Sequence, residues 1–232
     1  QSSIPNLKND GEKGEKRPTF SLAEYKKLYE FSRSWKHQGK QGKITQKREL
    51  LHDYFLILAY TGMRQGTESY GIKWKNLTWY EKDGVRYLQI YVDGKTGSRE
   101  LIARHSAIRY FERILQRHPK LSKMTLDEVI EKRIDEFVFS IDQKTACTTL
   151  ASTFKVLLTD SGLLTEPNTG DDRTLYSFRH FYITQALIHK RMPIHVLAAQ
   201  VGNSVPVIES NYKHYIPKDY AEDIAGKRPK IA

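Results

Sequence analysis

The stretch from Tyr176 to Tyr215, YSFRHFYITQALIHKRMPIHVLAAQVGNSVPVIESNYKHY, holds most of the side chains in this chain that can do chemistry. It sets Arg179 and His180 near a helix start, Gly202 and Asn203 at a turn after a second helical pattern, and Tyr212 at the end of a third. Arg64 in TGMRQGTE and Lys95 in DGKTGSRE add two further cations. Three cations and a phenol with no metal-ligand cluster suit phosphodiester chemistry on DNA. The phenol of Tyr212 would attack a phosphorus atom while fixed positive groups hold its oxygens. The planar fork of an arginine matches two phosphate oxygens at once, which a lysine cannot do. Glu68, four residues beyond Arg64 on a helix face, can hold that guanidinium in place or form an ordinary helix ion pair.

The order and spacing of these pieces resemble the catalytic domain of the tyrosine recombinases, the phage-integrase family, over residues 19–220. The resemblance implies that Arg64 and Arg179 bind the scissile phosphate and that Lys95, in the turn of a hairpin, protonates the departing 5′ oxygen. It implies that Tyr212, nine residues beyond Asn203, is the nucleophile, linked to the 3′ phosphate so that rejoining needs no ATP. Tyr215 is a rival three residues on, and Tyr220 a weaker one. His214 resembles the family's trailing Tyr-x-His ending. Two positions depart from the pattern. Tyr176 stands where the family carries the histidine of His-x-x-Arg, and Asn203 where it carries the histidine of Gly-His. Tyr176 can donate a hydrogen bond to a phosphate oxygen or simply pack, and Asn203 can donate through its amide but cannot carry a proton. His180 matches the histidine that directly follows the second arginine, and reads as a supporting core residue. The function implied is a site-specific recombinase or integrase serving a prophage or mobile element. The alternatives are a catalytically degenerate DNA-binding relative and a type IB topoisomerase. No cofactor or metal is implied.

The elements that must carry these residues are mainly helical, with one small antiparallel meander. Ser21 with Glu24 makes a capping box for a first helix, and Leu50 to Tyr60 reads as a strongly apolar second one ending at Thr61-Gly62. A short helix follows through Ser69. Residues 77–80, 87–92 and 98–103 read as three strands, with Asp83-Gly84 and Asp93-Gly94 supplying the turns. Further helices are expected over 107–117, 125–134 (with Thr125 and Glu128 as a second capping box), 145–161, 175–190, 194–200, 205–214 and 218–225. The fold class is therefore mainly α with a three-stranded sheet (α+β), in agreement with the recombinase catalytic domain.

A net charge of +11 over 232 residues favours a polyanionic partner, double-stranded DNA. Residues 31–48 carry Arg33, Lys36, Lys40, Lys43, Lys47 and Arg48, and read as a basic loop, either solvated or tracking phosphates. The single cysteine, Cys147, excludes an intrachain disulfide and a cysteine-based zinc site, which agrees with a reducing cytoplasm. No apolar run is long enough for a membrane span. The resemblance places the protein in bacterial or phage-encoded company, nucleoid-associated, as a monomer alone and a homotetramer on DNA. Residues 1–17 read as a linker from a missing N-terminal DNA-binding domain, and 18–232 as the catalytic domain. The C-terminal PKDYAEDIAGKRPKIA either docks as a helix on a neighbouring subunit or forms a disordered basic tail.

Overall fold

Helix α2 (Lys43–Thr61) is the axis around which the chain is arranged in the computed structural model, which describes residues 18–39, 42–94, 97–189 and 191–212. Every residue of α2 from Leu50 to Ala59 is buried. A helix apolar on all sides must be wrapped by others. Here α1 (Leu22–Trp35), α4 (Ile108–Gln116), α6 (Leu150–Ser161) and α7 (Ser177–Ile188) do the wrapping. The helix stops at Gly62, whose φ of 70° is left-handed and whose N–H closes on the carbonyl of Leu58. A Cβ at Gly62 would also lie 2.5 Å from the ring of Tyr182, so the turn and the packing both require glycine.

The strands β1 (Leu77–Lys82), β2 (Val85–Gly94) and β3 (Gly97–Ile102) form an antiparallel meander in the order β1-β2-β3. Asp83 and Gly84 both take positive φ, 51° and 73°, as the first hairpin turn demands. Leu88, Ile90 and Val92 alternate into the core, which sets the register Leu77↔Ile90↔Leu101. Short helices α3 (Thr67–Tyr70) and α5 (Leu126–Glu131) pack against β2 and β1, and α8 (Ile194–Val201) packs against β3. A second, smaller apolar cluster joins α7, α8 and α9 (Val205–Tyr212) around Tyr182, Ile183, Leu197, Val201, Ile208 and Tyr212.

The expected class and the capping boxes of Ser21 and Thr125 are all present. Three expectations need correction. The basic stretch 31–48 is not one loop. Arg33 belongs to α1, and Lys43, Lys47 and Arg48 belong to α2, leaving only a short connection around Lys36. Buried Trp35 holds α1 to its last turn by donating to Asp160 at 2.7 Å, and Arg48 stacks on the Trp35 ring at 4.1 Å. The helix expected over 125–134 ends at Glu131, because Arg133 turns left-handed and the chain pairs with Lys73 to Lys75. The helix expected from 145 begins at Leu150, because Asp142 accepts the N–H groups of Lys144 and Thr145 and holds a turn there.

His52 lies inside this core, 1% exposed, with Nδ1 2.9 Å from the hydroxyl of Ser32. Burial pushes its pKa down to about 2, and Lys36, Arg113 and Arg117 push the same way. The folded protein therefore keeps His52 neutral while the unfolded chain takes up a proton below its usual value near ~6.5, so stability is present above that value and lost as pH falls. The loss from this one group is expected to reach about 2 kcal/mol at about pH 5. Urea unfolding of the wild type and His52→Asn near neutral pH and at about pH 5 checks this. The variant should show the smaller acid-side drop.

Candidate active site

The turn that ends α2 delivers Gly62, Met63 and Arg64 to one end of the helix bundle. Arg64 is held on both sides. Its backbone N–H donates to Glu68 Oε2 at 2.7 Å and its Nη1 to Glu68 Oε1 at 2.6 Å, the i,i+4 pairing that α3 makes possible. Its Nη2 donates to the carbonyl of Gly202 and, at 3.1 Å, to Oδ1 of Asn203. The guanidinium thus joins α3 to the turn between α8 and α9. Engaging Oδ1 in this way leaves the amide NH2 of Asn203 as the end that can donate to a phosphate.

Glu68 is the hub, 1% exposed. Arg99 on β3 reaches it with both ends of its fork, Nη1 to Oε1 at 2.6 Å and Nη2 to Oε2 at 2.9 Å. Burial alone would raise the carboxyl of Glu68. The hydrogen bonds from Arg99 and from the Arg64 backbone and side chain outweigh it and hold the group below its usual range. Gln200 closes the frame, donating through Nε2 to the carbonyls of Thr61 (3.1 Å) and Ile102 (2.9 Å) and accepting from the N–H of Ile102 at 3.1 Å. One amide side chain thereby ties the ends of α2 and β3 to α8.

Arg179 enters from α7 and is 1% exposed. Its Nη1 donates to the carbonyl of Gly62 at 2.9 Å, while Nε and Nη2 have no hydrogen-bond partner among the described residues. Burial pushes its pKa down to about 10, with Arg64 and Arg99 pushing the same way against Tyr176 and Glu68, so it remains a cation at neutral pH. A buried cation with two unmatched donors is costly unless an anion arrives to accept from them. The next residue, His180, is buried and bonds through Nδ1 to the hydroxyl of Tyr212, itself 5% exposed at the end of α9. Tyr176, half-buried at the start of α7, sets the edge of its ring against His180 with centroids 5.1 Å apart. Three guanidiniums and one carboxylate therefore gather at this end of α2, and a histidine-held phenol is attached to them through the next residue of α7. Among the described residues no three His, Cys, Asp or Glu side chains gather as a metal site.

Neither a family model nor a curated protein sequence matches the chain. Solved structures do. The XerH site-specific recombinase bound to palindromic difH substrate, in its post-cleavage complex, aligns with a TM-score of 0.62 at 19% identity, over 97% of this chain and 59% of that one. The Tn1549 transposon integrase in complex with circular intermediate DNA aligns at 0.57 and 17% identity, over 90% and 64%. The XerA recombinase aligns at 0.56 and 16% identity, over 93% and 66%. This chain has the tyrosine-recombinase fold. It spans about three fifths of the length of the recombinase it matches with a TM-score of 0.62, and at such low identity the fold is what is shared.

Within the tyrosine-recombinase fold, the sequence-expected residues divide into groups. Arg64, Glu68, Asn203 and Arg179 meet at the end of α2, while Tyr176, His180 and Tyr212 form a second contact group that joins them through the Arg179–His180 step of α7. Lys95, His214 and Lys40 lie outside the described residues, as do residues 1–17 and 218–225. Gly94, however, is placed against Glu68, since a Cβ there would stand 3.0 Å from its Cγ and Oε1. Arg33, Lys36, Lys43, Lys47 and Arg48 gather around the opposite end of α2, roughly 20–30 Å from Arg64 at 1.5 Å of helical rise per residue. They are not part of this cluster, and Arg48 is already bonded to the carbonyls of Trp35 and Gln38. Sequence reasoning missed Arg99 and Gln200, both of which sit in stretches quoted for other residues. The only available signal for Arg99 was its place in GKTGSRE on a strand end. No helix among the described residues is long and apolar enough to cross a membrane.

Proposed function

We propose that this domain breaks and rejoins DNA as a site-specific recombinase, with Tyr212 as nucleophile. The observation that carries the reading is Arg179. It is a buried cation with two donors unmatched among the described residues, and the residue next to it in the chain holds the phenol of Tyr212. The phenolic oxygen attacks a phosphorus atom of the DNA backbone and hands its proton to His180, to which it is already bonded. The bond from phosphorus to the 5′ oxygen breaks, leaving a 3′-phosphotyrosine. The departing oxygen takes a proton from Lys95, the role its hairpin position suggests. Arg64 and Arg179 neutralise the non-bridging oxygens, with Asn203 and Tyr176 as neutral donors at the rim. Preorganised donors of this kind are each worth about 10²–10³ in rate. Rejoining reverses the step onto a new 5′ hydroxyl without ATP or metal. The partner is double-stranded DNA, and strand exchange requires four copies on two duplexes. The XerH neighbour was solved bound to difH substrate and the Tn1549 integrase in complex with transposon right end DNA, which supports integration or excision of a mobile element or prophage as the setting.

The test is covalent capture from a randomised pool of nicked duplexes, in which release of a short strand traps the cleaved state. An SDS-resistant protein–DNA adduct is expected, with peptide mass spectrometry placing the nucleotide on Tyr212. DNA binding without any adduct, or an adduct on another tyrosine, overturns the assignment.

A further inference from the structure

Arg99 has no place in the chemistry just described, yet each of its three guanidinium nitrogens is bonded. Its fork is spent on Glu68, its Nε donates to the carbonyl of Gln200 at 3.3 Å, and its side chain is 14% exposed. The plane of the guanidinium lies over Gly202, where a Cβ would stand 2.6 Å from Nη1. Gly202 takes a left-handed φ of 64°, ends α8, and gives its carbonyl to Arg64. Arg99 thus touches two of the groups that bond Arg64, Glu68 and Gly202, together with the carbonyl of Gln200 in the last turn of α8. It comes from β3, opposite Val92 of β2 and two residues from the hairpin turn flanked by Gly94 and Gly97. Gly94 itself abuts Glu68.

We propose that Arg99 is a positioning residue that locks the β2–β3 hairpin, the Glu68 carboxylate and the α8–α9 turn into one unit, so that the hairpin and Arg64 can reach the scissile phosphate only together. Two features argue for positioning over phosphate binding. Both ends of the fork already face a carboxylate, and a bidentate arginine–carboxylate pair fixes orientation as well as charge. The site also excludes any side chain at 202 that would lift the guanidinium away. Without Arg99 the hairpin would still fold on its own strand pairing, but Glu68 could swing on its remaining partner and Arg64 with it. A misplacement of about 1 Å in such a frame can cost about 100-fold in rate.

The inference rests on the recombinase reading, and its test separates the two. In Arg99→Met, single-turnover adduct formation on nicked duplexes recovered from the randomised pool should fall about 100-fold with DNA affinity unchanged. Arg99→Lys, which keeps the charge and loses the fork, should restore only part of the rate. Gly202→Ala should reproduce the Arg99→Met defect although Arg99 is still present. Independently of any activity, the side-chain carboxyl signal of Glu68 in a carbon-13 NMR titration should move upward in Arg99→Met and return most of the way in Arg99→Lys. If the wild type yields no adduct, the recombinase reading fails while the titration still decides whether Arg99 governs Glu68. A wild-type adduct rate and an unmoved Glu68 signal in Arg99→Met overturn the inference. So does a loss of rate matched by an equal loss of DNA affinity. Should Arg99→Met fail to fold, Arg99→Lys and Gly202→Ala carry the same comparison.

Discussion

Replacing Arg179 with methionine is expected to slow cleavage by about 10²–10³ and to make the protein more stable. The two effects share a cause. The guanidinium is buried with one carbonyl partner and two donors that nothing described accepts from, and two other guanidiniums stand close enough to depress its pKa. Carrying such a charge into the interior costs several kcal/mol, and an apolar side chain of similar volume removes that cost. A gain of about 1–4 kcal/mol in urea unfolding is expected. On the proposed mechanism the same substitution also removes donors to the developing phosphorane, for an expected loss of about 10²–10³ in adduct formation. A residue that lowers stability while serving a reaction is the signature of a functional site. The opposite result, a destabilised Arg179→Met, would mean that Arg179 is a structural prop for the Gly62 turn. Arg179→Lys separates charge from geometry. It keeps a cation that can reach a phosphate but not the fork, so it should recover little rate.

Local spacing carried much of this site in the sequence, and distance hid the remainder. The Arg64–Glu68 pair is four residues apart, and Gly62 punctuates an apolar run, so both could be read directly, although Arg64 lies in the turn before α3 rather than on a helix with Glu68. The capping boxes at Ser21 and Thr125 are likewise closed within four residues. Glu68 and Arg99 are 31 residues apart and meet only because the meander folds back over α3. Gln200 and Ile102 are 98 apart, and His180 and Tyr212 are 32 apart. None of these pairs has a periodic signal, because each depends on how α7, α8 and β3 converge on the end of α2. Charge counting was limited for the same reason. It recorded the cations between Arg33 and Arg48 but not that α2 runs from them toward Arg64, which places them at the far end of a helix of 19 residues. The substitutions at Tyr176 and Asn203 were visible as departures from a pattern. That Asn203 turns its oxygen to Arg64, so that the turn helps to orient the arginine, required the folded arrangement.

Removing the Glu68 carboxylate should be the most damaging change to stability in this region. Glu68→Ala deletes the acceptor of four hydrogen bonds, three from guanidinium nitrogens and one from the Arg64 backbone, and leaves two arginines with side-chain exposures of 20% and 14% facing each other without a counter-charge. Breaking one partner out of a buried ionic cluster costs about 3–5 kcal/mol, because the charges left behind stay desolvated. The loss should appear in urea unfolding near neutral pH and shrink on acidification. The carboxyl of Glu68 is held below its usual range, so its contribution is present above the unfolded-state value near ~4.3 and is lost as pH falls through the lower folded value. Wild type and Glu68→Ala should therefore converge at the acid end. Glu68→Gln keeps an acceptor oxygen while dropping the charge and should fall between them. Adding Arg99→Met to Glu68→Ala should recover part of the stability, since it removes one of the stranded cations. Additive losses in that double variant would mean that the two residues act separately and that Glu68 is not the hub of the cluster.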